Sequence, residues 1–189
     1  MATAVPPERI YLVFSLGITP QSVQKLLIEC AGWANQGTKE IYLLFASLGG
    51  NVQMGIAAYN ALRALPVKLI IHNIGNVDSI ANIIFLAGQE RLAAPHSTFM
   101  FHGVRYDILA NTSGDLPFYT NRVGLINADH KKMASIIKDR TKFDSVDDVM
   151  ALFSSQATKE ADYALAHGIV HKIEHHQIPN GSRVVVIPE

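Results

Sequence analysis

The stretch whose reading decides the fold is GNVDSIANIIFLAG, residues 75–88. A glycine and a few polar residues lead to one hydroxyl, Ser79, and an apolar run follows it, closed by Ala87-Gly88. Two readings of Ser79 compete. Either it begins a helix, or it stands at the mouth of an apolar segment to attack something. A serine that opens a helix is ordinarily a cap, but Asp78 is itself a good N-cap residue, which leaves Ser79 unneeded for that task.

Working outward, residues 67–71 (VKLII) read as a buried strand leading into this stretch. Upstream, 9–16 (RIYLVFSL) and 41–45 (IYLLF) have the same β-branched and aromatic character. Thr19-Pro20 supplies a helix start, and Val23, Leu26, Leu27, Cys30 and Ala31 recur at helical spacing before Gly37. A second helix carries Val52, Met54, Ala58, Leu62 and Leu65 and ends before Pro66. Strand and helix alternating in this way predict an α/β fold with a parallel sheet covered by right-handed crossovers.

Downstream, another strand is expected over 98–102, then a mobile polar loop from Tyr106 to Asp115 and one long helix over about 116–140. Ser145–Asp148 resembles a capping box that opens a short helix. A further short helix (160–167), closed by Gly168, and strands over 169–173 and 183–187 complete the pattern. With no repeat, low-complexity tract or linker, residues 1–189 read as a single domain. Its parts are a head (about 9–110 and 141–173), the long helix and a strand-like tail (178–189).

Composition narrows the function. Apolar residues make up 49% of the 189 and charged ones 17%, and sixteen basic residues balance sixteen acidic ones. That neutrality argues against a nucleic-acid or anionic-membrane footprint and leans toward surface hidden in an oligomer. Cys30 is the single cysteine, so neither an internal disulfide nor a thiolate cluster can form. The opening MATAVPPERIYLVF has no signal-peptide pattern, and no apolar run approaches the roughly 20 residues of a membrane span. A soluble, cytoplasmic protein is expected.

In open α/β sheets ligands bind beyond the carboxyl ends of the strands. Gly49-Gly50, Ser79 and His102 all fall there. Singly they are ordinary: a turn, a helix start, a structural histidine. Together they are the three kinds of group that acyl transfer needs. A hydroxyl is a weak nucleophile until an imidazole takes its proton, and the developing oxyanion needs preorganised backbone N–H donors. His171, His175 and His176 carry only a weak suggestion of a metal site, and His130-Lys131-Lys132 reads as a solvated helix face. No phosphate-loop motif occurs.

The order SLGG (47–50), GNVDSIAN (75–82), LAG (86–88), APHS (94–97) and MFH (100–102) resembles the proteolytic subunit of the Clp protease. That family's patterns are approximately SPGG, GxAASMG, APNS and MIH, and the likeness covers roughly residues 9–173. The resemblance implies the ClpP/crotonase-like α/β spiral with the long helix as a handle. It implies Ser79 as nucleophile, His102 as general base and the amides of Gly50 and Ile80 as oxyanion hole, with neither cofactor nor metal. It also implies a homo-oligomeric ring, stacked through the handle, that admits peptides or unfolded chains.

Departures from the family pattern modify this expectation. Asp78 stands where alanine is common, and Ala81 and Asn82 replace a glycine-alanine pair. The family's third triad member is an aspartate; counting back from Gly168-Ile169-Val170 lands on Gln156. Glutamine accepts the His102 Nδ1–H bond without a full charge. Replacing the aspartate of a serine-protease triad by its amide lowers kcat about 10⁴-fold, so a slow peptidase is expected. Few residues precede Arg9, where the family carries axial loops, so partnership with an unfoldase ATPase is doubtful and an ATP-independent enzyme is expected. The alternatives are a catalytically silent ring subunit, an enoyl-CoA hydratase or isomerase of related fold, and a serine–lysine dyad.

Overall fold

The computed structural model describes residues 6–105 and 113–189. β1 (Arg9–Ser15), β2 (Glu40–Ser47) and the first part of β3 (Lys68–Asp78) pair in parallel, with Ile10 beside Ile41 and Ile41 beside Leu69. The crossovers are α1 (Pro20–Asn35) and α2 (Val52–Ala64). α1 opens with a reciprocal box between Thr19 and Ser22, and α2 with Asn51 accepting from the Met54 amide, so each helix start has orphan donors satisfied by side chains. Val23, Leu26 and Cys30 from α1 and Ala58 and Leu62 from α2 are buried in the main core.

β3 is the hub. Its residues 70–73 pair with β4 (Glu90–Ala93), and its residues 76–78 pair with β5 (Thr98–Met100). One edge of one strand is thus handed from one neighbour to the next. Asn73, fully buried, sits at the handover: its Nδ2 donates to the Thr98 carbonyl at 2.8 Å and its Oδ1 accepts from the Gly75 amide at 3.0 Å. The sheet then runs β6 (Thr158–Glu160), β5, β3, β2, β1, β8 (Val184–Val186), with β4 and β7 (Lys172–Ile173) branching from β3. Only β5 and β6 are antiparallel among these pairs.

The remaining helices are α3 (Ala81–Phe85), α4 (Leu116–Arg140), α5 (Val146–Ser155) and α6 (Ala161–Ala166). The long helix and the Ser145 capping box lie where the sequence predicts them. Other expectations need correction. The strand expected over 67–71 continues to Asp78, and the apolar run after Ser79 yields a helix of only five residues. β4 and β6 carry no strand signal of their own; their backbones are recruited by β3 and β5. The strand expected over 169–173 shrinks to two residues, because Ile169 and Val170 amides both bond the α6 carbonyl of Ala164. Of the loop expected from Tyr106 to Asp115, residues 106–112 lie outside the described residues, and Asp115 caps α4 by accepting from the Phe118 amide. The tail strand joins its own chain: Tyr11 pairs with Val184, and the Arg183 guanidinium lies 4.5 Å from the Trp33 ring centre.

One buried cation ties the lower end of the head together. Arg91, 3% exposed, donates to the carbonyls of Gly88, Arg140, Gly168 and Ile169. Burial, and then the nearby Arg140 charge, lower its pKa to about 10, so it remains a cation at neutral pH.

The other face of the sheet carries a small cluster of Tyr11, Tyr42, Ile70 and Leu92, capped by Ile178 from the tail. His176 stacks on Tyr42 at 4.1 Å between ring centres, and the Tyr42 hydroxyl meets His72 Nδ1 at 2.8 Å. Burial first, and then the adjacent His176, pull His72 down to about 4. A histidine held neutral in the folded state stabilises it fully above its ordinary value near 6.5 and loses that contribution as pH falls toward 4. We therefore expect unfolding free energy to drop by about 3 kcal/mol between pH 6.5 and 4 on this account. Denaturant titrations over that range should show the drop reduced in His72→Phe.

Candidate active site

Ser79 lies immediately beyond β3, in the left-handed region at φ 58°. For a residue with a Cβ this conformation costs about 1–3 kcal/mol and persists only where the surroundings enforce it. They do so here. The Ser79 amide donates to the Met100 carbonyl of β5 at 2.8 Å, and the Asn82 side chain donates to the carbonyls of both Ser79 (3.1 Å) and Met100 (2.9 Å). Asn82, unusual on the family pattern, is thus a clamp between the serine and β5.

The SLGG turn closes on the same residue. A Cβ built on Gly49 would stand 2.7 Å from the Ser79 Cβ and 2.8 Å from the Asp78 carbonyl, so only a glycine lets the turn approach this closely. The turn is anchored by the Ile18 amide donating to the Gly49 carbonyl and the Asn51 amide donating to the Ile18 carbonyl, each at 2.8 Å. Among the described residues the backbone amides of Gly50 and Ile80 donate to no backbone carbonyl outside regular helix and strand pairing.

His102 follows β5 by two residues. Since β3 and β5 are parallel, with Asp78 beside Met100, Ser79 and His102 leave the sheet at the same carboxyl edge. His102 Nδ1 meets the Gly103 carbonyl oxygen at 2.6 Å. A carbonyl can only accept, so Nδ1 carries a proton and Nε2 of the neutral ring is left as the acceptor. That tautomer suits a general base. The Ser79 hydroxyl and the imidazole are not hydrogen-bonded to each other in this arrangement, as is common in resting sites.

His102 lines a cleft of about 280 Å³ with Gly103, Val104, Arg105, His130, Met150, Phe153, Ser154 and Gln156. Gln156 ends α5 in a left-handed conformation, exposed, and shares this cleft. The structure nevertheless gives His102 Nδ1 the Gly103 carbonyl as partner in place of Gln156. No lysine lines the cleft.

Two further expectations are corrected. Asp78 caps no helix: it belongs to β3, it is 8% exposed, and α3 begins three residues later without a side-chain cap. Burial raises its pKa, opposed by the Met100 amide and His102, and its Oδ1 has no hydrogen-bond partner among the described residues. His130 is not on a solvated face; its Nε2 accepts from the Val104 amide at 2.5 Å. Helical periodicity on α4 could not reveal this, because the partner is a backbone amide beyond β5. Elsewhere His171 Nδ1 accepts from the Arg91 amide, and no group of three or more His, Cys, Asp or Glu could hold a metal among the described residues. No helix among them is long and apolar enough to cross a membrane.

The family model described as Clp protease matches residues 18–177, and the chain belongs to that family. It is 27% identical over 138 residues to the ATP-dependent Clp protease proteolytic subunit 2 of Chlamydia trachomatis serovar D, covering 72% of this chain and 66% of that one. It is 30% identical over 108 residues to the subunit 2 of Borreliella burgdorferi, covering 54% of this chain and 51% of the other. The match thus spans just under two thirds of the Chlamydia relative's length and about half of the Borreliella one's. The fold is that of a solved ClpP1 mutant from Listeria monocytogenes, with a TM-score of 0.74, 15% identity, and coverage of 88% of this chain and 92% of that chain.

The closeness of the SLGG turn to Ser79 can be checked by substitution. Gly49→Ala puts a Cβ at φ 91° against the Ser79 Cβ and the Asp78 carbonyl, and we expect it to lower unfolding free energy by about 2 kcal/mol or more. Chemical denaturation measures this, and a change near zero would show that the turn does not press on Ser79.

Proposed function

We propose that the chain is a serine peptidase that cleaves peptides or unfolded chains within a ring of its own copies. The observation that supports this most directly is the convergence on one sheet edge of a strained serine, a glycine turn and a histidine whose Nε2 is free to accept a proton. In the reaction, Ser79 Oγ attacks the peptide carbonyl carbon while its proton passes to His102 Nε2. The amides of Gly50 and Ile80 hold the oxyanion. Collapse of the tetrahedral species breaks the C–N bond, and His102 returns the proton to the leaving amine. Water then hydrolyses the ester on Ser79 with His102 again as base. No step consumes a nucleotide, and the chain has no phosphate-loop motif, so hydrolysis without ATP is expected.

The proposed ring rests on family membership and on the exposure of Leu116, Tyr119 and Val123, an apolar stripe along one face of α4. A second reading, a catalytically silent ring subunit, is favoured by His102 Nδ1 meeting a backbone carbonyl and, among the described residues, no carboxylate.

A fluorophosphonate that esterifies active serines separates the two. Wild type is expected to label and to hydrolyse an unstructured peptide without nucleotide, and Ser79→Ala to do neither. Equal signals from the two proteins would remove the peptidase and leave the silent subunit. Gln156→Ala is expected to change kcat less than about threefold, less than the loss of a typical hydrogen bond; a drop of a hundredfold or more would return Gln156 to the triad.

A further inference from the structure

The Gly103–Val104 peptide group lies between two imidazoles. Its carbonyl accepts the His102 Nδ1–H at 2.6 Å, and its N–H donates to His130 Nε2 at 2.5 Å. Both contacts are made by one planar, conjugated unit. Withdrawing density through the N–H makes the carbonyl at its other end a stronger acceptor, the cooperative effect expected of hydrogen bonds in series. The fit is close: a Cβ on Gly103 would stand 2.5 Å from His130 Nε2, so the helix histidine reaches this peptide only because residue 103 is glycine.

We propose that this polarised peptide is the third member of the catalytic assembly, and that His130 is a positioning residue acting on His102 through it. The proposal rests on the peptidase reading above and deepens it. No proton crosses the peptide. The one transferred proton moves from Ser79 Oγ to His102 Nε2, and the imidazolium so formed is held at Nδ1–H by the Gly103 carbonyl. A carboxylate would do this with a full charge; a peptide dipole aligned by His130 does it with a partial one. His130 must be neutral, because protonation at Nε2 turns its acceptor into a donor facing the Val104 N–H.

The surroundings of His130 favour that neutral state. Burial lowers its pKa, with Asp129 opposing and His102 adding to the shift. Among the described residues, the charged or titratable groups facing it are His102 and Arg105 across the cleft and Asp129 beside it on α4, while α5 presents the uncharged Met150, Phe153 and Ser154. Asp129 is itself engaged by Gln53 and Lys132.

The test pairs His130→Phe, which keeps a ring and removes the acceptor, with His130→Gln, whose amide oxygen can accept from Val104. His130→Phe should lower kcat about tenfold with KM unchanged, the loss expected when one hydrogen bond weakens in the transition state. His130→Gln should recover most of it. The acid limb of wild-type kcat should steepen from one proton to two as His130 titrates, and stay at one proton in His130→Gln. A phenylalanine variant as fast as wild type, or a glutamine variant as slow as the phenylalanine one, would overturn the relay. Imidazole ¹⁵N spectra of Ser79→Ala decide it without turnover. The relay requires His102 protonated at Nδ1 with Nε2 bare, and His130 likewise bare at Nε2; a His102 protonated at Nε2 alone overturns it. If wild type fails to label, the peptidase reading falls while these spectra still decide whether the bridge exists.

Discussion

Everything at the site depends on the register between the last residues of β3 and β5. Asp78 beside Met100 fixes the serine that follows one strand relative to the histidine that follows the other. A slip of one residue would turn each side chain to the opposite face of its strand. Asn73 and Asn82 hold the register from both ends, one at the handover from β4 to β5 and one across the serine itself. Both are polar and fully buried, and both make two hydrogen bonds that a side chain of similar size without an amide could not.

The site is assembled mostly from backbone. The turn that touches Ser79, the amides proposed for the oxyanion and the partner of the His102 imidazole are all main-chain groups. Main-chain dipoles held in a packed scaffold need no reorganisation when charge develops, the property that makes them effective in catalysis. They are also weaker than a carboxylate toward an imidazolium, which is why the proposed reaction is expected to be slow. Asp78 does not compensate in any simple way: burial works against its ionisation, and the Met100 amide and His102 only oppose that.

The tail adds a second layer of constraint away from the chemistry. Val184–Val186 extends the sheet beyond β1, Ile178 and His176 cover the aromatic cluster on its other face, and His72 lies beneath them. That face is held by neutral imidazoles and tyrosines, so its stability is tied to pH, whereas the main core is apolar and indifferent to it.

The alternation of apolar strands and amphipathic helices, the Thr19 and Ser145 helix starts, and the order of SLGG, Ser79 and MFH were readable from the chain alone. Each is a local pattern: a periodicity, a cap or a motif. The sequence by itself therefore determined the α/β class, the long helix and the candidacy of Ser79 and His102. What it could not show was any pairing between distant backbones. β4 and β6 exist because β3 and β5 offer them hydrogen bonds, and Asp78 leaves its expected capping role because β3 runs on to claim it. The partner of His102 was sought in a side chain, Gln156, but a carbonyl has no residue-type signature, so only the tertiary structure could bring Gly103 and His130 to it.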